Sequence, residues 1–208
     1  MAGCMGLFVL AYLTGYRPVT NARAALTRAD SAILRGQTAN HTAAVAAAVE
    51  ADPWSTRAAL QLLSLRLAEY TNRPSAERAS AVNSAVEELL LLAPRKSGAH
   101  VRASEALEAI YEESRDPKFL QSAIEYQWQA IALYPTSSDV HARLAKLLLV
   151  AGESDSAAEA ASEALRLDDI MRQGGHADRQ LADAERAQLR QIARGEATFD
   201  AEKPPAVE

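Results

Sequence analysis

The chain has 208 residues, of which 49% are hydrophobic and only 5% aromatic, and alanine is the commonest residue. This balance favours helices that pack closely through small side chains and argues against a sheet, which is usually rich in β-branched and aromatic residues. A formal net charge of −5 argues against general nucleic-acid binding, which needs a basic surface. The single cysteine, Cys4, excludes an intrachain disulfide and a cysteine-based zinc site.

The chain begins with an uncharged apolar run, residues 1–16, which ends at Arg17. Tyr12 and Tyr16 stand near this arginine, and such amphipathic and cationic side chains suit the headgroup level of a bilayer. The run is shorter than the ~20 residues that a transmembrane helix needs. We therefore expect residues 1–18 to be a membrane-anchor-like segment, the end of a spanning helix. The alternative is a buried first helix that caps the helices after it.

Apolar spacing, capping residues and helix breakers predict nine further helices. Ser75, Ser137 and Ser154 are predicted N-caps, and Pro117 suits a first helical turn. The polar, proline-bearing residues 195–208 predict a disordered tail. The helices are predicted at residues 19–35, 40–51, 55–72, 75–92, 97–114, 117–134, 137–151, 154–168 and 178–194.

The prolines mark a repeat. Pro53, Pro94 and Pro135 are spaced 41 residues apart, and each follows the end of an apolar helical run. A fourth such ending lies 34 residues further on if Asp169 takes the place of the proline. A period of 34 to 45 residues with a helix pair in each unit indicates an α-solenoid.

The last complete unit, residues 138–171, resembles the tetratricopeptide repeat (TPR). Its first helix has the large–small pair Leu144-Ala145, and Gly152 stands at the turn. The resemblance covers residues 20–170 and implies an all-α, TPR-like α-solenoid of antiparallel helix pairs. The earlier units carry about seven extra residues, which predicts longer helices there. Further matching positions are Leu148, Ala157, Ala161 and Ala164 in this unit, and Ala123, Ala130 and Pro135 in the unit before it.

A TPR-like stack presents a groove lined by the first helix of each pair, and the repeat register projects a set of side chains into it. Co-chaperone members of the family clamp a peptide carboxylate there with lysine and asparagine. The corresponding residues here are Leu60, Val101 and Ala142, then Ser64, Glu105 and Lys146, so that clamp is absent. The predicted groove residues for a protein or peptide partner are Arg57, Ser64, Glu105, Glu108, Lys146 and Leu149.

Four histidines raise the question of a metal site or a catalytic site. His100 and His141 each follow a repeat proline by six residues, which predicts equivalent packing positions in successive units. His41 has no ligand-type partner three or four residues on, and His176 follows two glycines in a predicted loop. No sequence motif of a hydrolase, phosphate-binding loop or dinucleotide site occurs. We therefore expect no catalytic, metal-binding or cofactor-binding residues.

The overall layout also resembles the C-terminal end of bacterial O-antigen ligase or polymerase-like membrane proteins. Those chains end with a membrane helix, an Arg/Ala-rich helix and TPR-like repeats. The matching stretches here are residues 7–18, 20–36 and 176–191. The resemblance implies a bacterial inner-membrane location and a role in glycan assembly, and it transfers no catalytic residue.

These patterns predict a scaffold that works by binding and is not an enzyme. It would comprise the anchor-like segment 1–18, a TPR-like domain over residues 19–194 and the tail. Its partners would be a protein or peptide and, through residues 1–16, a membrane. The alternative is a soluble TPR adaptor whose first helix caps the stack.

Overall fold

In the computed structural model, residues 12–175 and 180–197 are described, and within these ranges the chain is helical and contains no strand. The all-α prediction is therefore confirmed. A single π-helical turn, Tyr12–Tyr16, leads directly into the first α-helix. Most of the predicted anchor (residues 1–11) and of the predicted tail (residues 198–208) lies outside the described residues. The α-helices are α1 (Arg17–Leu34), α2 (Thr38–Ala51), α3 (Thr56–Asn72), α4 (Ala76–Leu92), α5 (Ser97–Ser114), α6 (Pro117–Leu133), α7 (Ser138–Val150), α8 (Ser154–Gln173) and α9 (Asp183–Ala193).

The repeat prolines end three helices in the same way. Helices α2, α4 and α6 each stop two residues before Pro53, Pro94 and Pro135. A residue that precedes proline is pushed out of the α region by the proline ring, so the chain must turn there. Three of the helix ends thus follow from local chemistry that is visible in the sequence.

Side-chain caps define several helix starts. Ser75 accepts a hydrogen bond from the Arg78 backbone N–H at 3.3 Å, which confirms it as an N-cap. Ser137 occupies the N-cap position of α7 but makes no capping hydrogen bond. Ser154 is wrong as an N-cap, because Glu153 holds that position and Ser154 is already helical.

The chain forms two compact units, residues 1–94 and 95–208. In the first unit, α1 pairs with α2 and α3 pairs with α4, while α2 packs on α3. Its described core contains two small clusters in which alanines let the helices approach closely. One cluster contains Ala25, Leu26, Ala48 and Ala58, and the other contains Ala29, Ala44, Val45 and Leu65.

In the second unit, α5 pairs with α6, α7 pairs with α8, and α9 closes the end by packing on α8 and α7. Small residues of α8 meet the large residues of α7, so large and small side chains alternate across the hairpin. Gly152 at the turn has φ +81°, a backbone conformation that residues with a Cβ rarely adopt. The central residues of this core are Leu144, Ala145, Leu148, Ala157, Ala161, Ala164, Leu189 and Ile192.

The helix lengths follow the repeat length only in part. Helices α3, α4, α5 and α6, which belong to the 41-residue units, have 17 or 18 residues, whereas α7 has 13. In the same short unit, however, α8 has 20 residues. The expectation of longer helices in the longer units therefore holds for the first helix of the pair and is wrong for the second.

Two predicted boundaries near the C-terminus are wrong. Helix α8 was expected to end at residue 168 but continues to Gln173, because Asp169 does not obstruct the helical backbone as a proline would. The next helix was expected from residue 178, yet it begins at Asp183. Before it, the Leu181 N–H bonds to the Asp168 carboxylate, and the Leu181 side chain is buried in the core.

Asp168 is the polar centre of this C-terminal packing and is fully buried. Its carboxylate accepts hydrogen bonds from Arg172 Nε at 2.8 Å, from the Leu181 N–H at 2.7 Å and from Arg186 Nη1. Burial opposes ionisation, but these hydrogen bonds outweigh it and hold the pKa of Asp168 below its ordinary value. The carboxylate therefore ties α8 to α9 through charge-assisted hydrogen bonds.

The histidines in the repeats are packing residues. His100 and His141 are both buried on first helices of their pairs, at positions that the sequence register made equivalent. A ring nitrogen of His141 lies 3.0 Å from the carbonyl oxygen of Pro135, and the His100 ring lies 6.3 Å from the ring of Tyr126. His176 lies outside the described residues.

Candidate binding groove

The first helices of the second unit line a common cavity of about 330 Å³. Helices α5 and α7 supply seven of the nine lining residues, and α6 and α9 supply one each. The lining residues are Val101, Glu105, Glu108, Gln127, Asp139, Val140, Arg143, Lys146 and Glu185.

Arg143 connects α7 to α5. Its Nη1 lies 3.1 Å from Glu105 Oε1, and its Nη2 donates to Glu108. Arg102 on the exposed side also pairs with Glu105, at 2.7 Å. Burial raises the pKa of Glu108, the charges of Glu112 and Glu105 add to this effect, and Arg143 opposes it. This arginine thus holds two carboxylates that would otherwise repel each other.

Lys146 makes the equivalent connection from α7 to α9, where it contacts the Glu185 carboxylate. Asp139, in the first turn of α7, lies at the rim of the cavity and is exposed. Partial desolvation raises the pKa of Asp139, as do the charges of Glu185 and Asp168, while Lys146 lowers it. Among the ion pairs of the described residues, none includes Asp139.

The buried base of the cavity contains Gln127 from α6. This side chain is fully buried, and its Nε2 donates to the Val140 carbonyl oxygen at 2.8 Å. Its Oε1 and the Nε of Arg143 are buried and have no hydrogen-bond partner within the described part of the chain. Buried polar atoms of this kind are uncommon in proteins, and each one calls for an explanation.

Three of the six predicted groove residues come together in this cavity: Glu105, Glu108 and Lys146. Leu149 packs against the hydrophobic core of the same unit and does not line the cavity. Arg57 and Ser64 belong to the first unit. Arg57 pairs there with Asp30 of α1 at 3.2 Å, and the exposed Ser64 donates to the Leu60 carbonyl oxygen.

The positions that correspond to the carboxylate clamp have different environments. Val101 lines the cavity, whereas Ala142 is fully buried in the core behind it. Leu60 lies half-buried on α3 in the first unit. Of these positions only Lys146 carries a lysine, and it is already paired with Glu185. None carries an asparagine, so the pair of residues that the clamp needs is absent.

Sequence reasoning missed Arg143, Gln127, Asp139 and Glu185. A signal for the first was available, because Arg143 lies three residues before Lys146 on the same helix face. Glu185 could be predicted as a groove residue only if α9 were recognised as the first helix of a further repeat. Gln127 gave no signal, since a glutamine in a second helix is usually exposed.

Metal binding has no structural support in the part of the chain that the structure describes. Within residues 12–175 and 180–197, no three histidine, cysteine, aspartate or glutamate side chains are grouped so that they could hold a metal ion.

No protein-family model and no curated protein matches the sequence. Solved structures, in contrast, are similar in fold. A structure of MamA has a TM-score of 0.56 at 16% identity, over 85% of this chain and 90% of MamA. The structure of PilF from Pseudomonas aeruginosa has a TM-score of 0.56 at 18% identity, over 88% of this chain and 80% of PilF.

A thermophilic TPR protein from Thermus thermophilus has a TM-score of 0.54 at 18% identity, over 85% of this chain and 91% of that protein. At these identities the likeness shows the fold alone. It confirms that the chain is a TPR-like all-helical protein.

Proposed function

We propose that the chain is a protein–protein interaction scaffold that holds a segment of a partner protein in the cavity between α5, α7 and α9. The observation that carries the proposal is the pair of buried polar atoms beside this cavity, Gln127 Oε1 and Arg143 Nε, which lack hydrogen-bond partners among the described residues. A bound peptide could supply both a donor and an acceptor. Side chains of α5, α7 and α9 are already held in place by ion pairs, so the surface is pre-organised for binding.

The same cavity gives little support to catalysis or to small-molecule binding. A volume of about 330 Å³ is near the lower limit for a ligand pocket. Arg143 and Lys146 are engaged in ion pairs, and no nucleophile stands beside a base in the lining. A few side chains of a partner segment fit this space better than a whole cofactor.

Site-specific photo-crosslinking tests the proposal. A photo-reactive phenylalanine analogue at position 101, on the groove wall, should give discrete crosslinked adducts with a partner protein in cells that carry the gene. The matched control is position 162, where Ser162 is exposed on α8, a second helix away from the cavity. Equal adducts from both positions, or none from position 101, would contradict the proposal.

We also propose that residues 1–16 attach this scaffold to a bacterial inner membrane, as the tail of a glycan-assembly protein of the O-antigen ligase type. What supports this is the uncharged run itself, which includes Tyr12 and Tyr16, whose rings are exposed and stack 5.6 Å apart just before Arg17. Within the described residues, no helix has the length and apolar character needed to cross a bilayer. The competing proposal is a soluble adaptor in which the same run caps α1.

Deletion of residues 1–16 distinguishes the two proposals. If the run is a tether, the full chain should sediment with membranes and the deleted chain should be soluble and equally stable. If it is a cap, deletion should lower the free energy of unfolding by several kcal/mol, at ~25 cal/mol per Å² of apolar surface exposed. A soluble full chain together with a strongly destabilised deletion would end the membrane proposal.

A further inference from the structure

The cavity of the second unit carries an excess of negative charge. Four carboxylates line it, those of Glu105, Glu108, Asp139 and Glu185, against the two lining cations Arg143 and Lys146. Arg102, which is outside the lining, also pairs with Glu105, and one carboxylate charge remains in excess. Both lining cations are already shared with carboxylates of neighbouring helices. The uncompensated charge is therefore negative, and Asp139 at the rim takes part in no ion pair within the described residues.

The polar atoms at the buried side of the cavity add a second requirement. Gln127 Oε1 is a hydrogen-bond acceptor with no donor, and its side chain is fully buried. Arg143 Nε is a donor with no acceptor. A peptide that carries an arginine has groups of both kinds, because the guanidinium supplies several N–H donors and the peptide backbone supplies carbonyl oxygens.

Residues 1–11 and 198–208 do not match the charge of this cavity. Residues 1–11 carry no charge, and residues 198–208 contain one lysine against three acidic residues. An intramolecular occupant from either end would bring apolar or acidic side chains to an acidic surface. Neither stretch supplies the cation that this lining attracts, so we assign the occupant to a partner protein.

We propose that the cavity selects a positively charged peptide segment, with an arginine side chain placed between Asp139 and Glu185 and close to Gln127. This deepens the proposed scaffold function and rests on it. The acidic lining attracts the cation, because Lys146 and Arg143 neutralise only part of the charge of the groove carboxylates. The same lining repels a peptide carboxylate of the kind that co-chaperone TPR grooves clamp.

The test measures fluorescence anisotropy of the full-length chain with a labelled, end-blocked alanine peptide that contains three arginines. The comparison peptide replaces each arginine with citrulline, which has nearly the same shape and no charge. We expect the citrulline peptide to bind at least about fivefold more weakly, and Asp139→Asn to weaken the arginine peptide about fivefold, the effect of a single partly exposed ion pair. Glu159→Gln, an exposed carboxylate on α8, is the matched control and should change the affinity less than about twofold.

Several results would overturn the inference. One is equal affinity for the arginine and citrulline peptides, and another is no detectable binding of the arginine peptide at its highest soluble concentration. A third is an equal effect of Asp139→Asn and Glu159→Gln on the affinity. Spermidine that displaces the peptide at equal concentration would assign the site to a small cation instead of a peptide. If crosslinking from position 101 succeeds while the arginine preference is absent, the scaffold function stands and only its cationic partner is wrong.

Discussion

Asp168→Asn is expected to lower the free energy of unfolding of the second unit by about 3 kcal/mol, since breaking a buried ion pair from one side leaves the other charges uncompensated. Asp168 is fully buried and receives hydrogen bonds from Arg172, Arg186 and the Leu181 N–H. An asparagine keeps one acceptor oxygen for the backbone bond but supplies no charge for the two guanidinium groups. The docking of α9 on α8 should therefore weaken, and urea unfolding followed by circular dichroism measures the loss.

Asp169→Asn is the matched control for this experiment. Asp169 is the next residue in the chain and also pairs with Arg186, at 2.6 Å, but it is more than half exposed. Exposed ion pairs contribute at most about 1 kcal/mol, so this variant should be close to the parent protein. Equal losses for the two variants would mean that burial of Asp168 has no special role, and a loss below about 1 kcal/mol for Asp168→Asn would contradict the prediction.

The dependence of stability on pH follows from the same carboxylate. Because the pKa of Asp168 is held below its ordinary value in the folded protein, its ionised form stabilises the fold at every pH above the unfolded-state value of about 3.9. That contribution is lost only as the pH falls further, through the lower folded-state pKa. The difference between the parent chain and Asp168→Asn should thus be constant at neutral pH and shrink below about pH 4.

Helix ends were predictable from the sequence where they depend on local backbone chemistry. Pro53, Pro94 and Pro135 stop helices without help from the rest of the fold, and the three ends were found within two residues of their prediction. The end of α8 depends instead on a distant contact. Nothing local to Asp169 stops the helix, and the register of residues 180–182 is set by the bond from Leu181 to the Asp168 carboxylate.

The groove was predictable only in part for a related reason. The repeat register places Glu105, Glu108 and Lys146 on one face, and the structure brings them to one cavity. Register alone does not tell which side chains bind each other across helices. The roles of Arg143 and Glu185 depend on contacts between helices that only the structure shows. Arg143 of α7 pairs with α5, and Glu185 of α9 pairs with Lys146 of α7.

The alternation of large and small residues in the α7–α8 hairpin was the strongest sequence signal of the repeat, and it carries the second large prediction. Leu144→Ala should lower the free energy of unfolding by about 3 kcal/mol, within the roughly 2–5 kcal/mol usual for a buried leucine. Leu144 has no exposed surface and lies in the core formed by α7, α8 and α9. The lost methyl groups leave a cavity that the surrounding helices cannot close, because they already touch through alanines.

Two further variants test whether the loss of stability in Leu144→Ala depends on the position of the leucine or only on the hydrophobic content of the helix. Leu133→Ala removes the same atoms from a leucine that is 39% exposed and should cost about 1 kcal/mol or less. The double variant Leu144→Ala/Ala145→Leu keeps the composition of α7 but places the large side chain where the fully buried Ala145 faces the core. Overpacking then adds about 1–3 kcal/mol to the cavity cost, so this variant should be less stable than Leu144→Ala alone. If the double variant instead regained the parent stability in urea unfolding, the large–small register would not define this hairpin, and the core would tolerate either order.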